Sequence, residues 1–202
     1  MSKSTNFLAY LYLLLTVSFW AGNFIVGKLA SFYEVPPFSL NFYRWFFAWL
    51  ILAPFTFPEL IKKKNYIFKN YKFFIVLGIT SITVFNSIVY YSLNFTQVIS
   101  GVLMISTIPV MIMFFSSIFK IEKTNIFQLI GVICSFTGVI LIITKANFEI
   151  LLNLDFNKGD LTMVVAMFSW AIYSSLLKKK TNEISQLGLL EIIITFGLLF
   201  LI

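Results

Sequence analysis

The sequence predicts an all-α membrane protein, a multi-span helical bundle. Of its 202 residues, 59% are apolar and only 11% are charged. Uncharged apolar runs of about 20 residues, the length that crosses a bilayer, alternate with short basic clusters. A water-soluble domain would need more polar residues to cover its surface. Composition and patterning together therefore set the fold class.

The same composition argues against several classes of function. The net charge is +7, but the cations lie in short clusters between apolar runs, which is a topology signal and does not predict a nucleic-acid partner. Histidine is absent, and the single cysteine, Cys134, lies in an apolar run. We therefore predict no cofactor, no metal site and no enzyme activity. The sequence does not specify an oligomeric state.

Seven apolar segments are predicted to be spans. They cover residues 7–27, 38–57, 73–93, 98–119, 126–144, 161–177 and 187 onwards. The first is interpreted as an uncleaved helix rather than a signal peptide, because no soluble domain follows it. Pro109 is expected to loosen the fourth span by removing a backbone hydrogen bond. The chain stops at Ile202 while still apolar, which suggests a C-terminally truncated protein.

The basic clusters predict the orientation. With the N-terminus in the cytoplasm, the inside segments hold eleven lysines and the outside segments hold two. The inside lysines are residues 3, 62, 63, 64, 69, 72, 120, 123, 178, 179 and 180; the outside ones are residues 145 and 158. Because cytoplasmic loops carry the excess of Lys and Arg, we predict a multi-pass protein of the inner (cytoplasmic) membrane with its N-terminus inside.

A repeated motif indicates a duplicated unit. Trp20-Ala21 is followed by Lys28, and Trp170-Ala171 is followed by Lys178, so that both copies have the same spacing and lie 150 residues apart. The second copy lies five predicted spans after the first, an odd number, so the copies enter the membrane from opposite faces. This pattern is typical of the inverted repeats of secondary transporters.

Several stretches in order resemble the EamA family of the drug/metabolite transporter superfamily. They are residues 20–28 (Trp-Ala-Gly-Asn-Phe through Lys), Pro37, Arg44, residues 90–96 with Ser100 and Pro109, Glu122, Gly131, Gly138, residues 159–161 and residues 169–171. The resemblance implies ten helices in two inverted halves of five. Residues 1–145 would form the first repeat, 146–158 an outer loop, and 159–202 the start of an incomplete second repeat. The chain departs from the family at Ile121, where glycine is usual, and has two second-half helices instead of five.

Polar residues within the spans are the candidate substrate-binding groups. A charge within a span is costly, by about 2.5–3.5 kcal/mol at its centre, so Arg44 either binds an anionic group in a cavity, reaches back to the surface, or pairs with a helix-end carbonyl. Polar residues at helical spacing predict either cavity faces or helix-packing contacts. The candidate substrate-binding residues are Trp20, Asn23, Lys28, Arg44, Tyr90 and Asn94. Snorkelling is the simpler interpretation of Lys28. Glu191, the one acid within a span, is expected to pair with an interfacial partner near lysines 178–180, with proton coupling as the alternative.

Two functions remain open from the sequence. The first is a secondary active transporter, and by family likeness an exporter, that moves small organic metabolites such as amino acids by alternating access between the two halves. The expected partners are a small-molecule metabolite and the lipid bilayer. The alternative is a truncated, non-transporting membrane fragment or assembly partner. The sequence contains no phosphate-binding GxxxxGK[ST] loop, so ATP is not expected to drive transport.

Overall fold

The computed structural model describes residues 3–122, 125–143, 149, 157–179 and 183–202. Its helices are α1 (Lys3–Phe32), α2 (Pro37–Lys62), α3 (Lys64–Lys69), α4 (Tyr71–Leu93), α5 (Val98–Ile105), α6 (Ile108–Ile118), α7 (Ile126–Ile143), α8 (Lys158–Leu177) and α9 (Gln186–Leu199). No strand occurs within these ranges, which confirms the all-α class. Most of the predicted 146–158 loop lies outside the described residues, as do Lys123, Lys145 and Lys180.

Among the described residues, four helices are long and apolar enough to cross a bilayer, namely Phe7–Phe32 within α1, α2, α4 and α8. α6, α7 and α9 contain shorter apolar helices. The predicted number of seven spans therefore stays a prediction. Many large apolar side chains point away from the protein, for example Phe7 at 68% exposed and Phe19 at 76%. Hydrocarbon solvates such side chains, while the helices satisfy their own backbone groups, so the chain is a multi-pass membrane protein.

The predicted fourth span is divided at its proline. α5 ends at Ile105 and α6 begins at Ile108, with Pro109 in the first turn of α6. Proline has no N–H and its ring clashes with the carbonyl four residues earlier, so it fits a first turn without loss, whereas in a helix interior it removes a backbone hydrogen bond. The hydroxyl of Thr107 donates to the Met104 carbonyl at 2.6 Å and satisfies one acceptor at the break. The structure thus has a break at Pro109, where the sequence predicted only a loosening within one span.

The middle of α4 is a π-helix, Ile79–Asn86, between α-helical turns. β-branched residues crowd this segment, and its hydroxyl groups bond backward to the chain, as in the 2.6 Å bond from Ser81 Oγ to the Leu77 carbonyl. A π-helical stretch rotates the following residues relative to an α-helix, and such stretches are frequent at functional sites. Here it turns Phe85 and Asn86 toward the same side as Ser81.

The helices that contain or follow the second Trp-Ala copy pack directly on helices of the first copy. Met163 and Met167 of α8 are 0% exposed and join Val89 and Leu93 of α4 in one core cluster. A second cluster joins α9 to α2 and α4. The N-terminus of α8 is fixed by a reciprocal cap. The side chain of Asn157 accepts a hydrogen bond from the backbone N–H of Asp160, and the side chain of Asp160 accepts one from the backbone N–H of Asn157.

Polar contacts join the helices at each end of α8. At its N-terminal end, Lys28 donates to the carbonyls of Leu93 (2.7 Å) and Thr96 (2.9 Å), and Thr96 donates to Asp160. At its C-terminal end, Lys178 forms an ion pair with Glu122. A helix of 20 residues is about 30 Å long, so Lys28 and Lys178 lie at opposite ends of the bundle. The inverted repeat requires this arrangement, although the repeat itself stays a prediction.

Candidate functional site

A cavity of about 660 Å³ lies between α1, α2, α4, α8 and α9. Its volume is within the range of about 300–1,000 Å³ that small-molecule sites occupy. The lining is mostly aromatic and apolar, with a few polar groups. It consists of Thr16, Phe19, Trp20, Asn23, Arg44, Trp45, Ser81, Ile82, Phe85, Asn86, Trp170, Tyr173, Leu190 and Ile193. We call it the central pocket.

Arg44 supplies the positive charge of the central pocket. Its Nη1 donates to Asn23 Oδ1 and to the Tyr90 hydroxyl, and its Nη2 donates to Asn86 Oδ1 at 2.6 Å. All three acceptors are neutral. The guanidinium also lies 4.7 Å from the centre of the Trp45 ring. Among the described residues, therefore, no carboxylate is bonded to this cation.

The partners of Arg44 are themselves held in place. Tyr90 is 3% exposed and donates its hydroxyl to Asn23 Oδ1 at 2.6 Å. Asn86 donates its amide to the Ser81 carbonyl across the π-helical turn, at 2.6 Å, and this bond leaves its carbonyl oxygen directed at Arg44. The widened turn of α4 therefore positions one guanidinium acceptor. A preorganised arrangement of this kind lowers the cost of ordering the site around a ligand.

Aromatic rings form another part of the pocket lining. The two repeated tryptophans, Trp20 and Trp170, meet with ring centroids 6.0 Å apart. Trp170 also contacts Phe85 at 4.5 Å and Tyr173 at 5.0 Å. These tilted rings offer faces and edges to an apolar or aromatic ligand body. The two copies of the sequence motif thus contribute to the same pocket.

A second cavity, of about 510 Å³, lies among α6, α7 and the end of α8. Its charged lining residues, Glu122 and Lys178, are paired with each other. Their charges are already compensated, unlike that of Arg44. We therefore place the candidate site in the central pocket. Across the described residues, no group of three or more Cys, Asp or Glu side chains is arranged to hold a metal ion.

The model of the EamA-like transporter family matches residues 7–144, which is more than half of the chain. The chain belongs to the EamA-like transporter family. This match confirms the resemblance inferred from the sequence motifs. It covers α1, α2 and α4, which supply Asn23, Arg44 and Asn86 to the central pocket.

Curated proteins of similar sequence are named as transporters. The chain is 30% identical over 201 residues to an uncharacterized transporter of Archaeoglobus fulgidus, covering 98% of this chain and 66% of that protein. It is 28% identical over 193 residues to the uncharacterized transporter YyaM of Bacillus subtilis, covering 96% of this chain and 63% of that protein. The chain therefore spans less than two thirds of the length of these relatives. No solved structure matched it.

In this EamA-family chain, four of the six predicted site residues come together. Trp20, Asn23 and Arg44 line the central pocket, and Tyr90 bonds to two of them. The structure places the other two elsewhere. Lys28 is bonded to carbonyls at the C-terminal end of α4, and Asn94 is an exposed residue just after that helix. Lys28 therefore bonds to carbonyls at a helix end, which the sequence analysis had offered as one interpretation of Arg44.

Sequence reasoning missed several lining residues. Asn86 was missed because polar residues were grouped at α-helical spacing, whereas α4 is π-helical there. Tyr173 had a usable signal, since it lies three residues after Trp170, as Asn23 lies three residues after Trp20. An alignment of the two copies of the motif would have identified Tyr173.

The expectation for Glu191 was wrong. It was predicted to have an interfacial partner near lysines 178–180, but the side chain is 1% exposed. Neither of its carboxyl oxygens has a hydrogen-bond partner among the described residues. Counting residues from the start of the span placed Glu191 near the surface, whereas helix packing in the structure buries it.

Proposed function

We propose that this chain acts in a secondary active transporter that moves small organic metabolites carrying an anionic group, such as amino acids, across the cytoplasmic membrane. Substrate binds in the central pocket with its anionic group at Arg44. Transport follows an alternating-access cycle in the export direction, with the N-terminus in the cytoplasm. The observation that carries this proposal is the cation of Arg44, held among neutral partners at an aromatic pocket.

The electrostatic argument starts from the cost of burying Arg44. A partly buried cation among neutral dipoles lacks the compensation that an ion pair provides. The three hydrogen bonds to Asn23, Tyr90 and Asn86 use three of the five N–H donors of the guanidinium. The remaining donors can bind a carboxylate of a substrate. Charge-assisted bonds of this kind are the strong ones, which favours an anionic ligand over a neutral one.

The shape of the central pocket supports a substrate with an apolar or aromatic body. Rings of Trp20, Phe85, Trp170 and Tyr173 surround the space beside Arg44. A ligand with a carboxylate at one end and an apolar body at the other would satisfy both parts of the lining. Inorganic ions would leave the aromatic part without a partner.

The arrangement of helices also fits alternating access. The pocket lies between α1, α2 and α4, which precede the outer loop, and α8 and α9, which follow it. Residues 1–145 and 159–202 are the two inverted units of this proposal. Rocking of one unit against the other would open the pocket to one side and then to the other, as in transporters built from inverted repeats.

Export can be tested by measuring metabolites in cells and in medium after expression of the chain, with Arg44→Ala as the test variant. We expect the chain to raise the external level of at least one carboxylate metabolite, and Arg44→Ala to reduce that flux at least about tenfold, since losing a charged hydrogen bond costs about 1.5–3 kcal/mol. Lys69→Ala is a matched control, because Lys69 is an exposed cation on α3.

Two results would contradict the proposal. If expression changed no metabolite level although the chain reached the membrane, the non-transporting alternative would be favoured. If Arg44→Ala and Lys69→Ala carried the same flux as the original chain, the central pocket would not be the anion site. Membrane levels of each variant must be matched before the fluxes are compared.

A further inference from the structure

Glu191 is a buried acid that the proposed substrate site does not use. It lies in the second turn of α9 and is 1% exposed. Its two carboxyl oxygens have no hydrogen-bond donor within the described part of the chain. Burying an ionised carboxylate without a partner is far more costly than burying a neutral acid, and groups in such places neutralise instead.

The surroundings place Glu191 at the packing surface between α9 and α2. Residues 188, 191 and 195 share one helix face. At Gly188, an added Cβ would lie 2.7 Å from Glu59 Oε2 of α2, and Thr195 accepts a hydrogen bond of 2.9 Å from the indole of Trp49, also of α2. Both neighbours on this face therefore contact α2. Glu191, which lies between them, belongs to the same contact.

The charged groups on the elements around α9 do not compensate Glu191. The titratable groups are Tyr43, Arg44, Glu59 and Lys62 in α2, Tyr71, Lys72, Tyr90 and Tyr91 in α4, and Tyr173 across the pocket. Arg44 is bonded to Asn23, Tyr90 and Asn86. Glu59 is bonded to the amide and hydroxyl of Ser185. No hydrogen bond or ion pair joins any of these groups to Glu191 within the described residues.

The repeat gives an independent reason to expect a neutral group here. α2 begins at Pro37, 17 residues after Trp20, and α9 begins at Gln186, 16 residues after Trp170, so the repeat spacing extends into these helices. The 150-residue offset then matches Glu191 with Asn41. Asn41 is 0% exposed and its amide donates to the Ile82 carbonyl and to Ser87 Oγ, both at 2.8 Å. A protonated carboxyl also has a donor and an acceptor, whereas a carboxylate has acceptors only.

We propose that Glu191 is a proton-binding site that is protonated in this conformation and couples proton movement to transport. When α9 separates from α2, water reaches the carboxyl, the O–H bond breaks, and the proton leaves to water while the carboxylate stays on the protein. Repacking requires a proton to be taken up again.

The same helix connects this acid to the central pocket. Leu190 and Ile193, on either side of Glu191 in sequence, line that pocket. A movement of α9 that hydrates Glu191 therefore also changes the pocket wall. This coupling rests on the proposed transport function, whereas protonation of Glu191 does not, and the two can be tested separately.

Protonation is tested on the purified full chain in liposomes by infrared spectroscopy. We expect a carbonyl stretch of a protonated carboxyl group at neutral pH, which is lost in Glu191→Gln. Glu183→Gln is the control, because Glu183 is an exposed acid in an ion pair and its loss should leave the band unchanged. Absence of the band in the unmodified chain at neutral pH, or its persistence in Glu191→Gln, would overturn the proposal even if one variant folded poorly.

Coupling is tested in the same liposomes with labelled 3-phenylpropionate as the probe and with the membrane potential clamped. For one proton per substrate, a gradient of one pH unit should change the steady-state accumulation ratio about tenfold, and the sign of the change distinguishes symport from antiport. Glu191→Gln should equilibrate the probe without accumulation. Probe transport that ignores the pH gradient in the unmodified chain would refute coupling. Absence of any probe transport would refute the coupling for this substrate class and count against the proposed function, while the infrared result would still decide protonation.

Discussion

Gly78 lies at a close approach of α4 and α9, so we predict that Gly78→Ala destabilises the fold. An ideal Cβ at this position would lie 2.7 Å from the backbone nitrogen of Gly197 and 2.9 Å from the backbone oxygen of Ile193. Backbone atoms of a packed helix cannot turn away as a flexible side chain can. The two helices would have to separate by several tenths of an ångström along a contact that also borders the central pocket.

The magnitude follows from two opposing effects. Replacing glycine by alanine within a helix stabilises it by roughly 0.8–1.0 kcal/mol, whereas forcing an extra methyl into a packed contact costs roughly 1–3 kcal/mol. At Gly78 the contact with backbone places the cost toward the upper limit, which gives a net loss of about 1–2 kcal/mol. For a chain of this size, that loss lowers Tm by about 2–8 °C.

Gly131→Ala is the matched control, because Gly131 is also helical and an added Cβ there meets no atom of the described residues within 4 Å. It should keep the gain in helix propensity and raise Tm slightly. The assay is thermal unfolding in detergent, followed by intrinsic fluorescence and by the loss of the monodisperse elution peak. Equal Tm changes for the two variants would refute the close approach of α4 and α9.

Two further predictions concern the ends of the bundle. Lys28→Met should destabilise the chain by about 1.5–3 kcal/mol, measured by the same thermal assay, because it removes charged hydrogen bonds to the carbonyls of Leu93 and Thr96; an unchanged Tm would show that these bonds do not form. Lys63→Met should have a smaller effect that disappears at high salt, because the Lys63–Glu183 pair is exposed. The hydrogen bond to Glu183 raises the pKa of Lys63 above its ordinary 10.5. The stability that the ion pair contributes is therefore present below pH 10.5 and is lost as pH rises through the raised pKa. An effect of Lys63→Met that does not depend on salt would contradict the prediction.

Much of the fold could be predicted from the sequence because a membrane requires each spanning helix to be long and apolar. Apolar length predicted α1, α2, α4 and α8 as helices of spanning length, although the ends differed by several residues. α1, for example, continues to Phe32, five residues beyond the predicted end of its span. A hydrocarbon environment stabilises a helix formed by a continuous apolar run, whereas the exact end of a helix depends on local capping and on neighbouring helices.

Local backbone detail was less predictable. The break at Pro109 was anticipated only as a loosening, because proline can either kink a helix or start a new one, and the choice depends on what satisfies the freed carbonyls. In this chain Thr107 caps one of them. The π-helical middle of α4 had no clear sequence signal, and it changed which polar residues face the pocket.

Part of the candidate site could also be predicted from the sequence. Arg44, Asn23 and Tyr90 were identified because large polar groups in a span require partners, and the structure shows these three bonded to one another. Asn94 was included on helical spacing, and Lys28 as the cation of the repeated motif at the edge of a span. Neither signal can tell a pocket from a helix end. The burial of Glu191 could not be predicted, since it depends on how α9 packs against α2.

Tryptophan fluorescence offers the most direct test of the central claim, that Arg44 makes the aromatic pocket a site for anions. Three of the four tryptophans, Trp20, Trp45 and Trp170, line the pocket, so a ligand there should change the emission. Titration of the purified chain should give a Kd for 3-phenylpropionate at least about tenfold lower than for 3-phenylpropanamide, its neutral analogue, and Arg44→Ala should abolish the difference. Equal affinities for the two compounds, or a preference for the acid that survives in Arg44→Ala, would contradict the account.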